Sequence, residues 1–189
     1  MVSQFVSPHQ VDLLGDLDFK FPEGTHAIGR LDQNSEGLLI LTTNKKVTRL
    51  LFLSEVPHKR TYLVQVNNIL SSGSLEKLQK GISIRIKGGV HYITPACDVR
   101  IVDHPDQLYK NAVTLPQYGS HTWLLITLTE GKYHQVRKMI GSVQHRCKRL
   151  IRLSIENLQL GDLPPGRVKE ISEKYFFRLL KIPFNQAHD

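Results

Sequence analysis

Asp32 stands two residues after Arg30 in the run Gly29-Arg30-Leu31-Asp32-Gln33-Asn34-Ser35-Glu36-Gly37, and the apolar Leu38-Leu39-Ile40-Leu41 follows at once. A carboxylate on a glycine-bounded turn, tied that closely to a segment that must be buried, is either a solvated corner or a nucleophile held at the edge of a core. Two other sets of residues could complete a site around it. Lys59-Arg60-Thr61-Tyr62 sets an aromatic two residues after a basic pair. Glu130-Gly131-Lys132-Tyr133-His134-Gln135-Val136-Arg137-Lys138 leads a basic segment into a helical pattern. A carboxylate held in a dry pocket needs a cation beside it to stay ionised, and a guanidinium can supply a bidentate partner that also fixes the rotamer.

The charge of the chain suits a polyanionic partner. Against 17 Asp+Glu there are 25 Lys+Arg, a net +8 with a pI near 9.6. Lys132, Arg137, Lys138, Arg146, Lys148, Arg149 and Arg152 lie in one stretch without an acid among them, which favours nucleic acid over a generally basic surface. Lys138, Arg146, Lys148 and Arg149 read as phosphate contacts that position RNA, so Ala at 148 or 149 would flatten the salt dependence of binding. Other chemistries fit poorly. Asp32 to Gly37 resembles the start of a calcium loop, but the twelfth position is Thr43 and not Glu. Gly131-Lys132 lacks the rest of a phosphate loop. His9, His26, His58, His91 and His104 make no metal-ligand spacing. The expectation is no metal and no cofactor. Cys97 and Cys147, far apart, read as reduced thiols of a cytoplasmic protein. No apolar run is long enough for a transmembrane helix, and the start shows no signal-peptide pattern.

The elements that must position these residues are mostly strands. Ala27-Ile28 leads into the Asp32 turn, Gly37 to Thr43 reads as a buried strand, and Thr61 to Val66 and Thr122 to Thr129 have strand composition. Val90 to Val102, broken by Pro95, reads as two short strands or an edge. Helices are expected from Lys45 to Leu53 behind Asn44, from Ser74 (as cap) to Gln79, and from Lys132 to Val143. In the last of these Val136, Met139, Ile140 and Val143 form one apolar stripe, and His134, Arg137 and Lys138 share a polar face. Asp103 to Gly119 reads as a long loop, and Lys174 to Leu180 fits strand or helix. The expected fold class is α+β, a mixed, mainly antiparallel sheet with a few flanking helices and a central cleft.

Gly29-Arg30-Leu31-Asp32 with Ser35-Glu36-Gly37-Leu38-Leu39, then Lys59 to Val64, then Glu130 to Met139, then Arg149-Leu150-Ile151-Arg152 and Leu158-x-x-Gly161-x-Leu163-x-x-Gly166, resemble in order the motifs of pseudouridine synthases of the ribosomal small-subunit (RsuA-type) branch. The short form and Trp123 ahead of Glu130-Gly131 are similar to members that act on large-subunit (23S) rRNA. The resemblance implies an isomerase that converts one uridine to pseudouridine without a cofactor. Asp32 would be its catalytic aspartate, Tyr62 the aromatic packed on the base, Arg137 the partner of Asp32, and Leu150 the apolar floor. Arg30 would hold the turn or wedge into the vacated stack. Lys-Pro on a first strand, and the N-terminal S4-like RNA-binding domain of many members, are not in this sequence. The expectation is one catalytic domain over 1–189, with two lobes around a cleft, acting as a monomer on 23S rRNA or a precursor particle. Two rivals remain open: a non-catalytic rRNA-binding or ribosome-assembly protein on the same fold, and a metal-dependent nuclease, which would need a carboxylate cluster.

Overall fold

Residues Arg60–Asn67 bury side chains on both faces, and in the computed structural model they form the middle strand of the main sheet. The structure describes residues 1–52, 56–113 and 119–184. Along the chain come β1 (His26–Ile28), β2 (Glu36–Gly37), β3 (Ile40–Thr42), α1 (Val47–Phe52), β4 (Arg60–Asn67), α2 (Ser72–Lys80), β5 (Ser83–Arg85), β6 (His91–Ile93) and β7 (Asp98–Ile101). Then follow α3 (Pro105–Leu108), β8 (His121–Leu128), α4 (Gln135–Ser142), β9 (Cys147–Ile155), β10 (Leu158–Gln159) and α5 (Glu173–Leu180). The main sheet runs β10-β9-β4-β8-β7, antiparallel throughout, with β2 paired parallel to β9. Two further two-stranded antiparallel sheets, β1–β3 and β5–β6, stand apart from it. The mixed, mainly antiparallel α+β architecture expected from the sequence is what the structure has.

Alternation along the strands sorts the core into two layers. Leu63 of β4, Trp123 of β8 and Ile151 of β9 pack with Ile28, Leu51, Phe177 and Leu180 from β1, α1 and α5. Val64, Val66, Leu124, Ile126 and Leu150 pack instead with Leu78 of α2 and Val136, Met139 and Ile140 of α4. Each fully buried aliphatic side chain among these contributes about 1.5–3 kcal/mol. The apolar stripe of α4 was therefore correctly read, while the helix is shorter than its pattern. It begins at Gln135 because His134 sits in the left-handed region, φ 54°. His134 thus ends the preceding loop and does not share a helical face with Arg137 and Lys138.

Other boundaries also moved. Gly37 to Thr43 is not one strand: its two ends pair with different sheets, β2 with β9 and β3 with β1. Ser71, not Ser74, caps α2, its Oγ accepting from the Ser74 N–H at 3.2 Å. Asn44 does mark the entry to α1, its Oδ1 accepting from Lys46 N–H at 3.0 Å; Leu53, the last residue expected in that helix, lies outside the described residues. Val90 to Val102 is two strands, and the tail is helical. The long loop holds α3, begun by Pro105 where a missing N–H does no harm; its residues 114–118 lie outside the described residues. Cys97 and Cys147 are free thiols, and burial pushes both up to about 11. Among the described residues no helix is long and apolar enough to cross a membrane.

The β9–β10 turn carries a buried acid. The Glu156 carboxylate accepts from Lys59 N–H at 2.6 Å and from Lys181 Nζ at 2.7 Å, with His58 Nδ1 at 3.7 Å. Burial alone would raise its pKa. The hydrogen bonds from Lys181 and Lys59, with the charges of Lys181 and His58, outweigh that and hold it below 4.5. A carboxyl depressed in the folded state stabilises above its unfolded pKa and loses that contribution as pH falls through the folded value. The urea midpoint should therefore drop as pH goes from about 5 to about 3, and Lys181→Met should drop less steeply; an equal slope would remove Glu156 as a cause.

Candidate active site

β4 and β9 bring the basic and aromatic residues of the two motifs side by side. Tyr62 lies directly across from Arg152, and Val64 from Leu150, so Tyr62, Leu150 and Arg152 share one face of the sheet. Beyond the start of α4 that face is uncovered by helix. A cavity of about 680 Å³ opens there, lined by Asp32, Arg60, Tyr62, His134, Leu150 and Arg152 among others. Its size suits one nucleotide-sized group.

Asp32 reaches this cavity on a clamped turn. Ser35 N–H closes the turn onto the Asp32 carbonyl at 2.8 Å, and Ser3 Oγ exchanges hydrogen bonds with the Leu31 backbone at 3.0 and 3.3 Å. The carboxylate, about a third exposed, meets His134 Nε2 at 3.2 Å. Arg137, expected as the partner of Asp32, is placed differently. Its Nη2 donates to the Asn34 carbonyl at 2.5 Å and to Ser35 Oγ at 3.3 Å, and its Nη1 to the Cys147 carbonyl at 3.4 Å. Because α4 starts only at Gln135, Arg137 is its third residue and meets the turn's backbone, while His134, just before the helix, meets the carboxylate. Arg137 binds the backbone of the turn; His134 is the side chain that meets the Asp32 carboxylate.

The loop that presents His134 is braced from behind. Gln135, buried, donates to Glu130 Oε1 at 2.6 Å and accepts from Lys132 N–H at 2.7 Å; Tyr92 of β6 donates to Glu130 Oε2 at 2.5 Å. That hydrogen bond raises the Tyr92 pKa. Tyr133 stacks on His134 with ring centroids 3.9 Å apart.

The remaining residues separate into two groups. Arg30, exposed, lines the cavity together with Leu150. Arg146 and Lys148 are exposed on and beside the start of β9, and Lys138 is half-buried on α4; they lie outside the cavity lining. Arg149 is the exception to the expected phosphate footprint. Its guanidinium makes a bidentate pair with Glu36 at 2.8 and 2.9 Å and donates to the Ala112 and Asn111 carbonyls at 2.5 and 3.1 Å. It faces β2 across the sheet, away from Lys148 and Leu150, and its donors are spent inside the protein. Arg149→Met should cost about 2–3 kcal/mol, read as a lower urea midpoint, with the salt slope of RNA binding unchanged; a shallower slope would return it to the interface.

Arg60 and Arg152 were within the motifs but had no role assigned, and they are the most deeply placed cations at the cavity, 7% and 4% exposed. Period-two alternation from Leu150 was the available signal for Arg152. Among the described residues, no group of three or more His, Cys, Asp or Glu side chains gathers to hold a metal. The carboxylate cluster a metal-dependent nuclease would need is therefore not built by them.

A sequence profile of RNA pseudouridylate synthases matches residues 14–142. A ribosomal large subunit pseudouridine synthase E of Vibrio parahaemolyticus is 37% identical over 147 residues, covering 77% of this chain and 60% of that protein. Its counterpart of Vibrio vulnificus is 35% identical, covering 82% and 64%. The protein of that name in Xanthomonas axonopodis pv. citri is 31% identical, covering 87% and 85%. The chain thus spans about three fifths of the length of the two Vibrio relatives. A solved structure described as a pseudouridylate synthase superposes with a TM-score of 0.69 at 22% identity, over 85% of this chain and 63% of that one, which shows a shared fold.

Proposed function

The chain belongs to the RNA pseudouridylate synthase family, and from that premise we propose that it isomerises a uridine of large-subunit ribosomal RNA to pseudouridine with Asp32 as the nucleophilic carboxylate. The observation that carries the reading is the meeting of Asp32, Tyr62 and Leu150 at one cavity, from segments far apart in sequence. Isomerisation breaks the N1–C1′ bond of uridine, turns the base and rejoins it through C5. A carboxylate serves this by attacking C1′, or by promoting loss of uracil, and then leaving. The detached uracil must be retained while it turns. Tyr62 and Leu150 supply an aromatic and an aliphatic wall for a flipped base. His134 aims the carboxylate, and Arg137 holds the turn on which Asp32 sits.

The names of the relatives favour large-subunit rRNA, and the basic face supports an RNA partner. Action on 23S rRNA, as a monomer and in the cytoplasm, is part of the same proposal. Lys138, Arg146 and Lys148 are its phosphate contacts outside the cavity, and Arg30 contacts the strand at the mouth. C5 gives up its hydrogen when it becomes the glycosylated carbon. Ribosomal RNA labelled with tritium at uridine C5 should therefore release tritium to water with the wild-type protein. RNA binding without release would leave an rRNA-binding protein on the same fold.

A further inference from the structure

Two guanidinium groups at the base of the cavity are buried without an anion of their own. Arg152 donates from Nε to the Leu38 carbonyl at 2.8 Å, while its Nη2 finds no hydrogen-bond partner among the described residues. The Arg60 guanidinium carbon lies over the Phe52 ring, 4.6 Å from its centre, and its Nη1 likewise has no partner among them. Both line the cavity shared with Asp32 and Tyr62. Burial pulls both guanidinium pKa values below their ordinary range. The Tyr62 hydroxyl opposes the shift in each case, while Arg152 pushes Arg60 down further. The carboxylate that acts on Arg60, Glu156, is already hydrogen-bonded by Lys181 and Lys59. Buried polar groups are nearly always paired, and two neighbouring buried cations with idle donors are costly in a resting fold. Such an arrangement is relieved when an anion arrives.

We infer that Arg60 and Arg152 form a cradle for the phosphate attached to the target uridine, gripping the nucleotide whose sugar is presented to Asp32. This rests on the functional reading above and deepens it. The exposed lysines and arginines outside the cavity hold the strand; these two hold the single nucleotide drawn out of it. A phosphate on the cavity wall that both guanidinium groups line would, once their buried Nη donors turn toward it, receive charge-assisted hydrogen bonds in a site sheltered from water, where they are strongest. It would also set the distance between C1′ and the carboxylate, which an aromatic wall alone does not do.

The test reads binding, independent of turnover. Inorganic phosphate or uridine 5′-monophosphate, at ionic strength matched with sodium chloride, should raise the melting temperature of the wild-type protein by several degrees, while uridine should not. Arg60→Met and Arg152→Met should each lose that response and bind an rRNA fragment roughly tenfold or more weakly. Without anion the Arg60→Met melting temperature should be unchanged or higher, because it removes an uncompensated buried charge. Arg152→Met also gives up its bond to the Leu38 carbonyl and should melt lower, so it is read by its anion response alone. Asp32→Asn should keep the full anion response. A wild-type melting temperature that ignores phosphate, or Met variants that respond as the wild type does, overturns the cradle. Should Arg152→Met fail to fold, the wild-type and Arg60→Met arms still decide. Tritium release with no anion response refutes only the cradle; an anion response without tritium release refutes the isomerase reading and leaves a phosphate-binding pocket.

Discussion

Asp32→Asn is expected to end isomerisation and leave RNA binding in place. The substitution keeps the size of the side chain and an oxygen toward His134, 3.2 Å away in the wild type, so the turn closed by Ser35 and tied by Arg137 should persist. What it removes is the charge proposed to attack or stabilise C1′. Loss of a nucleophile typically costs on the order of 10⁴-fold or more in turnover. Tritium release should fall at least that far, while the affinity for rRNA and its salt slope change little, because the proposed phosphate contacts lie on other residues. Residual release within about a hundredfold of wild type would mean that the carboxylate only shapes the pocket. The same variant separates the isomerase from a binding protein on this fold, since both bind but only one loses an activity.

Much of the site was legible because it rests on local patterns. Gly29 to Leu41 showed a charged turn against a core segment, and the turn does reach a cavity. Alternation along Arg149 to Arg152 already put Leu150 and Arg152 on one face, where the register across β4 and β9 confirms them. The apolar stripe of α4 pointed to the right core. What failed was non-local. The partner of Asp32 depends on the residue at which α4 begins, and one left-handed residue, His134, sets that start. No periodicity marks a single positive φ. Arg149 belonged by alternation to the opposite face from Lys148, but its partner Glu36 arrives through β2, a two-residue parallel pairing from a hundred positions away that neither segment announces. The unpaired guanidinium groups of Arg60 and Arg152 were invisible for the same reason: satisfaction of a donor is a property of the whole fold.

Gly37→Ala should be among the most damaging single substitutions in the chain. Gly37 has φ +102°, where a Cβ is strained, and it lies in β2 against Arg152 of β9. A Cβ there would run into the Arg152 backbone carbonyl and nitrogen, in a strand that β4 holds on its other side. The sheet cannot yield, so the turn must. Leu38 N–H donates to the Arg152 carbonyl at 2.8 Å, and the Arg152 guanidinium returns a bond of 2.8 Å to the Leu38 carbonyl; both would open. Backbone strain of this kind costs about 1–3 kcal/mol, and the two opened hydrogen bonds about as much again. A total of about 3 kcal/mol or more would lower the melting temperature by about 6–12 °C for a chain of this size. The turn bearing Asp32 would shift with it, so turnover should fall even in the fraction that remains folded. Gly24 supplies the control: φ is +78°, yet nothing lies within 4 Å of its added Cβ, so Gly24→Ala carries the backbone strain alone. It should lose about 1 kcal/mol and keep full tritium release. Equal losses at the two positions would show that the close approach of β2 to β9 does not govern the placement of Asp32.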